Sequence, residues 1–501
     1  MAPMALESSQ RILVRLSGDI TTKAKATRKQ FVRRLVRNLK DALKSAGAAG
    51  RVLRTHDRIF VEVERGEPAA ALARVFGVQS LSRAERRPWS ELRDLVDAGL
   101  ALYGDAVRGK RFAVRARRVG DRARVPIDAR AVERELGTAL LPSAARVDLS
   151  NPEITVRLEL HPGEVDFFTD STRGPGGLPL GVEGRAIALV SGGFDSAVAA
   201  WHLLKRGVAL DYVFCNLGGR IHQLGTLRVM KEIADNWSYG ARPALHAIDF
   251  DLVSREIQAH SQTRYWQVVL KRQMLRAAER VAAERGAVAL VTGEAVGQVS
   301  SQTLQNMAVI SRATGLPILR PLVGFNKEEI IDRAHKIGTF ELSKVVREYC
   351  AIVPRKPATA ASAGAVAEQE AGLDASLLDR AVAERGVFDL RALDLDKLDL
   401  PELEASGIPD GATVVDMRSL SAYGAWHYPG ALFLDFAHAL AAYPSFERDH
   451  TYVLYCEFGL KSAHLAELMR REGFDAYHFR HGLSDLISHC RERGVPTPDP
   501  L

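Results

Sequence analysis

The sequence predicts a multidomain chain that combines α/β and α+β parts. Three observations carry this. At roughly 150 residues per domain, 501 residues imply three or four domains. Between about 176 and 354 the pattern runs strand, loop, helix and repeats, which implies a doubly wound parallel sheet. The stretch 385–501 alternates strands and helices again. Apolar residues make up 47% and charged residues 26%, so neither a disordered nor a fibrous chain is expected.

The elements follow in order. A strand over Arg11–Ser17, a basic helix over roughly Lys29–Ala46 and a strand over Arg58–Glu64 fill a first segment, 1–70. The second, 71–175, holds the strand Arg111–Arg118 and the helical stretch Ala131–Leu136. A turn-rich passage, Arg173–Gly181, opens the third segment, 176–354. Residues 355–384 begin with RKPATAASAGAVAEQEAG, rich in alanine and without a strand pattern, and read as a linker that is partly helical. In 385–501 the strands are Thr413–Asp416 and Thr451–Cys456, followed by the helix Ser462–Glu472.

Charge is uneven. Residues 1–180 hold 33 Lys/Arg against 22 Asp/Glu, whereas the remainder holds 35 against 39. Such an excess suits a polyanion docking at the amino-terminal end, although charge alone does not separate that from a solvated basic face. The opening MAPMALESSQRILVRLSGDI lacks the basic and long apolar regions of a signal peptide. No stretch reaches the roughly 18 apolar residues of a membrane helix. With only four cysteines (Cys215, Cys350, Cys456 and Cys490) the chain is not a disulfide scaffold. The expectation is a soluble, cytoplasmic protein with no membrane partner, in which any working thiol is catalytic.

The strongest local signal is IALVSGGFDSAVAAWHLLKRG. Ile187–Val190 is an apolar run typical of a strand buried on both faces. Ser191, Gly192, Gly193, Phe194, Asp195 and Ser196 follow at once, and Ala197–Arg206 has helical spacing, closed by Gly207. Free N–H groups and the helix dipole bind anions at such a junction. Paired glycines let backbone approach phosphate closely. Ser191 and Ser196 add hydroxyl donors. Asp195 disfavours a bare phosphate, so it is expected to help hold Mg²⁺. Neither a P-loop kinase signature nor GxGxxG is present. Farther along, Val288–Thr292 reads as a strand feeding a polar loop with Gly293, Gly297, Gln298 and Gln302, placed to line a crevice and read a base. Lys271 lies in the helical run Tyr265–Arg285, and Lys327 starts a later helix.

The loop VSGGFDS resembles the PP-loop of ATP pyrophosphatases, which cleave ATP between the α and β phosphates. With VFCNLGG, VVLKRQML, TGEAVGQVSSQT and REYCAIVP it is similar to the tRNA 4-thiouridine synthetase family. VFGVQSLS, FAVRARRVG and VDLSNPE resemble a THUMP domain, and the segment before them the ferredoxin-like domain that accompanies it. VVDMRS, AWHYPGA and YCEFGLKSAHLAELM resemble a rhodanese domain, with Glu457 where an arginine is usual and Lys461 as a substitute charge.

The resemblance implies a set of roles. Ser191–Ser196 would hold the ATP phosphates; Leu189, Val190, Lys271, Gly293 and Gln302 would contact the nucleotide; Lys327 would assist activation. THUMP would grip the tRNA. Cys456 would carry persulfide sulfur, loaded by a cysteine desulfurase, and Cys350 would form a transient disulfide with it, with a mobile linker letting the carrier swing. Family members often also pass sulfur to a sulfur-carrier protein for the thiazole of thiamin. From the residues alone, a loop of amides at a helix start stabilises an anionic sulfur at Cys456. Cys215 reads as core and Cys490 as incidental. Neither H-E-x-x-H nor paired C-x-x-C appears, so no metal-ligand cluster is expected. Two rival readings are another adenylating ligase and a non-catalytic RNA-binding protein; the tandem THUMP and rhodanese signatures argue against the first and the intact SGGFDS against the second.

Overall fold

The computed structural model describes residues 10–54, 58–119, 124–168, 171–346, 356–398 and 403–498. The chain divides into two compact units, the first up to Glu183 with short returns at Leu204–Val208 and Asn236–Ala241, the second comprising the rest.

The first unit is built on one nine-stranded sheet. Its long strand Val78–Pro88 is shared. The first half pairs antiparallel with Gln10–Leu16, and the second half with Glu164–Phe168. The basic helix runs Lys25–Ser45, four residues earlier than the periodicity suggests. Its apolar stripe (Phe31, Leu35, Leu39, Leu43) is buried against Ile12, Val14 and Val61, and the charged side stays out, as an amphipathic helix requires. Arg111–Arg118 is a strand over the expected residues. Asp166 is fully buried in this sheet. Arg86 meets it with two hydrogen bonds of 2.8 Å, and His161 Nε2 lies 3.2 Å from it. A bidentate guanidinium satisfies a buried carboxylate that would otherwise be costly.

The second unit contains a six-stranded sheet in the order Ile318–Leu319, Leu290–Val291, Arg185–Leu189, Ala209–Asn216, Ala244–Asp249, Gly386–Asp389. All neighbours are parallel except the last pair. The chain moves outward in one direction from Arg185–Leu189, then returns to its other side at Leu290–Val291. That reversal is a topological switch point, where open α/β sheets form their binding crevice.

The expected linker at 355–384 is corrected by the structure. Helices Ala363–Glu370 and Ala375–Ala383 pack on the helix Trp266–Arg285, and Val366, Leu378 and Val382 are buried in the same core as Val281 and Ile257. Arg272 and Arg276 both bind Glu370. Gly386–Asp389 then adds an antiparallel edge strand to the six-stranded sheet, so the rhodanese-like part does not begin at 385. Apolar residues spaced i, i+4 on one helix face find a core to join. The swinging linker expected from sequence does not lie in this stretch.

The rhodanese-like part has a four-stranded parallel sheet ordered Leu432–Phe433, Thr413–Asp416, Thr451–Tyr455, Asp475–His478. It too reverses direction, beside Thr451–Tyr455.

Burial pushes the Asp166 carboxyl up, but Arg86 and His161 outweigh it and bring its pKa down to about 2. That lowering corresponds to roughly 2 kcal/mol of stability. A depressed pKa stabilises above the unfolded value of 3.8 and the effect is lost as pH falls toward 2. Asp166→Asn should therefore destabilise the protein by roughly 2 kcal/mol at neutral pH, read by chemical denaturation, and the gap from wild type should close only below pH 3.8.

Candidate nucleotide and thiol sites

The loop Ser191–Gly193 leaves the strand Arg185–Leu189, and the helix Phe194–Lys205 begins immediately, three residues before the expected start. Gly192 has φ +77°, and a Cβ there would lie 2.6 Å from Val346 Cγ1 and 2.9 Å from Thr226 Oγ1. Beside Gly193 the space is open, the nearest atom to an added Cβ being Ser191 Oγ at 3.5 Å. The loop thus keeps one glycine for its turn and leaves the other's backbone accessible, which is what close approach of an anion requires. The Ser196 hydroxyl donates to Gly193 O at 3.1 Å and lies 3.4 Å from Ser191 N, bracing the turn.

Gly293 leaves the neighbouring strand Leu290–Val291. A Cβ on it would sit 2.7 Å from the Asp195 carbonyl carbon. Only glycine lets the two strand-end loops close on each other. Between them opens a cavity of about 310 Å³. Leu189, Val190, Ser191, Asp195, Ser196, Lys271, Gly293 and Gln302 all line it, so eight residues singled out from sequence meet there. Gly192 and Gly193 lie in the loop itself. Lys327 heads the helix Lys327–Ile337, held by a reciprocal cap between Asn326 and Glu329, and its Nζ reaches Asp195 Oδ1 at 3.2 Å.

Three polar groups here, Glu294, Arg320 and His222, were missed by the sequence reading, whereas Gln298 and Gln302 were named by it. Glu294, buried beside the cavity, accepts from Lys271 at 3.1 Å and from Arg320 at 2.8 Å. Burial pushes its carboxyl up, but Lys271 and Arg320 outweigh that and hold it below its ordinary range. An acid directly after Gly293 at a strand end was the available signal. His222, from the first turn of the helix Gly219–Trp237, also lines the cavity, its Nε2 3.3 Å from Ser191 O. Burial pushes its pKa down to about 4 and keeps the ring neutral. Gln298 Nε2 donates to Asp195 Oδ2 at 2.9 Å. Gln302 is buried, and its Oε1 has no hydrogen-bond partner among the described residues. An unpaired buried carbonyl in a cavity wall is an acceptor awaiting a donor.

For Mg²⁺ the donor set is one carboxylate, Asp195, already shared with Lys327 and Gln298. That suits an ion held by one or two carboxylates together with substrate phosphates, not a closed protein cage. Among the described residues, one trio of ligand atoms lies within 4.8 Å: exposed Glu447 and Asp449 with half-buried His450, far in sequence from the loop and not anticipated from it.

Cys456 directly follows the strand Thr451–Tyr455, which ends one residue earlier than expected, and precedes the helix Leu460–Arg471, which begins two residues before the expected start. Its side chain is buried, and Sγ lies 3.4 Å from Ser462 Oγ. Gly459 and Gly482 close the loop: a Cβ at Gly482 would fall 2.2 Å from Cys456 O. Lys461 Nζ lies 5.7 Å from the Phe436 ring centroid. Cys350, with the whole string REYCAIVP, lies outside the described residues. Cys215 is buried in the nucleotide sheet, where burial pushes its thiol up, and its side chain also borders the cavity. Cys490 is wholly buried in the rhodanese-like core.

In the first unit a cleft of about 600 Å³ is lined by Arg15, Arg28, Arg58, Arg115, Arg117 and Arg157. Glu159 offsets Arg58 at 2.8 Å; the other arginines leave the cleft strongly positive.

The fold and these sites define a PP-loop-type α/β protein fused to a rhodanese-like thiol domain and preceded by ferredoxin-like and THUMP parts. Family models match each part: the ThiI ferredoxin-like domain over 11–82, the THUMP domain over 90–170, the family described as "Thiamine biosynthesis protein (ThiI)" over 181–375 and the rhodanese-like domain over 401–489. The chain is 38% identical to a tRNA sulfurtransferase of Pyrobaculum aerophilum, covering 94% of this chain and 96% of that protein. It is 34% identical to a tRNA sulfurtransferase of Thermoplasma acidophilum, covering 89% of each. A solved 4-thiouridine synthetase–RNA complex with bound ATP superposes with TM-score 0.69 at 30% identity, covering 76% of this chain and 99% of that one. The chain belongs to the tRNA sulfurtransferase family.

Gln302→Leu removes the unpaired acceptor while keeping volume. It should leave the ligand-free protein as stable or slightly more so, yet weaken ATP binding about tenfold, the loss of one good hydrogen bond. Thermal unfolding with and without ATP, together with calorimetric titration, reads both effects.

Proposed function

We propose that this protein uses ATP to adenylate uridine 8 of tRNA and replaces its 4-oxygen with sulfur carried as a persulfide on Cys456. One observation carries the reading. A phosphate-type loop and a base-sized cavity with an unpaired amide occupy one switch point, and a strand-end cysteine occupies another in the same unit.

The chemistry divides into two problems. The 4-oxygen of uracil is a poor leaving group. Ser191–Ser196 positions the ATP phosphates on the backbone N–H groups of the helix start, Gln302 reads the base, and Lys271 is held at the cavity wall by Glu294. Asp195 would hold Mg²⁺ with the phosphates, and that ion would offset charge developing there. The uridine O4 attacks the α phosphorus; the O4–P bond forms, pyrophosphate leaves and the N3 proton goes to solvent. Lys327, within reach of Asp195, is placed to neutralise phosphate charge.

The second problem is delivering a nucleophile. A cysteine desulfurase loads the terminal sulfur on Cys456. That sulfur attacks C4 and AMP leaves with the oxygen. Cys350 thiolate then attacks Cys456 Sγ, the S–S bond to the transferred sulfur breaks, and the base is left as 4-thiouridine. The resulting Cys350–Cys456 disulfide needs two electrons from an external thiol reductant to reopen. The same loaded Cys456 has the chemistry to supply a thiamin sulfur-carrier protein.

The arginine cleft of the first unit supports tRNA as the partner, because phosphate neutralisation dominates sequence-independent affinity. Replacing Arg117 by alanine should weaken tRNA binding and reduce the slope of log affinity against log salt by about one unit, measured by filter binding across a salt series.

The direct cellular test is mass spectrometry of tRNA nucleosides from a strain whose own 4-thiouridine synthesis is deleted and which expresses this chain. Wild type should restore 4-thiouridine, and Asp195→Ala and Cys456→Ala should each abolish it. Persistence of 4-thiouridine in Cys456→Ala would remove the persulfide route.

A further inference from the structure

We infer that Glu467 is a positioning residue: its carboxylate seats the thiol domain on the amino terminus of the helix Gly219–Trp237, and from this seat Cys456 delivers sulfur to the nucleotide site. The inference rests on the proposed function and names the contact that couples its two halves.

Glu467 lies on the helix Leu460–Arg471, the one that starts just after the Cys456 loop. It is 4% exposed, unusual for a glutamate. Its Oε2 accepts from the backbone N–H of Arg220 at 2.7 Å, in the first turn of the opposing helix. A carboxylate there accepts from a helix-start N–H and meets the positive end of the helix dipole. Arg471, one turn along, holds Oε1 at 2.5 Å and so fixes the rotamer.

The receiving surface is shaped for this contact. Gly219 has φ +73°, and a Cβ on it would fall 2.4 Å from Glu467 Oε2 and 3.4 Å from His464 Cδ2. Three residues on, His222 touches Ser191 of the phosphate loop and lines the cavity. The helix that carries the cysteine loop therefore rests on the helix whose first turn forms the cavity wall.

The contact is built to separate and re-form. Around it lies a cleft of about 390 Å³, lined by Asn216, Arg220 and Asp249 from one side and His464, Glu467 and Arg471 from the other. A charged interface of this kind, with a cleft beside it, resembles transient domain contacts more than a permanent core. On separation both Glu467 and the Arg220 N–H regain water. The carrier must leave to be loaded and return to deliver, so a polar seat suits it.

The test uses full-length protein, loaded at Cys456 with a cysteine desulfurase and cysteine, then mixed with ATP, Mg²⁺ and tRNA for a single turnover. Three quantities are followed: persulfide on Cys456 by intact mass, tRNA-dependent pyrophosphate release, and 4-thiouridine formed. Glu467→Ala should leave the first two unchanged and slow the third about tenfold or more, through lost effective concentration. Glu467→Gln retains an acceptor for the Arg220 N–H and should recover part of the rate. Thiolation by Glu467→Ala at the wild-type rate, or faster as a parked carrier would give, overturns the inference. Should Glu467→Ala fail the loading or pyrophosphate control, Gly219→Ala blocks the seat from the other side, and wild-type thiolation in that variant overturns the inference equally. Wild-type protein forming no 4-thiouridine would instead sink the proposed function.

Discussion

Everything in the nucleotide site depends on backbone N–H groups left free where the helix Phe194–Lys205 starts. An α-helix cannot satisfy its first donors internally, and a parallel sheet points those starts at the carboxyl ends of its strands. The constraint is steric as much as electrostatic. Ser191–Gly193 must turn sharply, and the adjacent strand end must approach within van der Waals distance of Asp195, which Gly293 alone permits. The side chains then furnish what backbone cannot: an ammonium at Lys271 held by Glu294, an amide at Gln302 with an open acceptor, and a carboxylate at Asp195 balanced by Lys327.

The thiol domain repeats the same solution with different chemistry. Its parallel sheet also reverses direction, and Cys456 stands at the strand end beside the reversal with Ser462 as its polar neighbour. One architecture can thus present an anion cradle in one place and a sulfur in another, because both exploit a loop curled at a helix start. Two switch points stand in one chain, with the edge strand Gly386–Asp389 between them in sequence.

Much of this was legible in the sequence. The strands Arg111–Arg118 and Thr413–Asp416 fall on the residues their patterns indicate, because period-2 and continuous apolar runs are local signals. Of the eight cavity residues, Ser191, Asp195, Ser196, Gly293 and Gln302 were legible as parts of loops that follow two strand ends, whereas Leu189, Val190 and Lys271 were singled out by the family resemblance. The helix Phe194–Lys205 starts early because Asp195 and Ser196 read as loop residues although they form a first turn that tolerates polar side chains. The packed helices at 363–383 were missed because their apolar stripe is short and alanine-rich, and the surface it joins, the helix Trp266–Arg285, lies about a hundred residues away. Lys327 with Asp195, Arg320 with Glu294 and Glu467 with Arg220 are likewise long-range pairs that no local pattern encodes.

The most direct test of the central claim separates activation from sulfur delivery. Purified protein carrying no persulfide is given ATP, Mg²⁺ and unmodified tRNA, and pyrophosphate is followed. The loop should release pyrophosphate only when tRNA is present, at equal burst size in wild type and Cys456→Ser, and not at all in Asp195→Asn. Release without tRNA, or dependence on Cys456, would contradict an adenylating site that works ahead of the thiol.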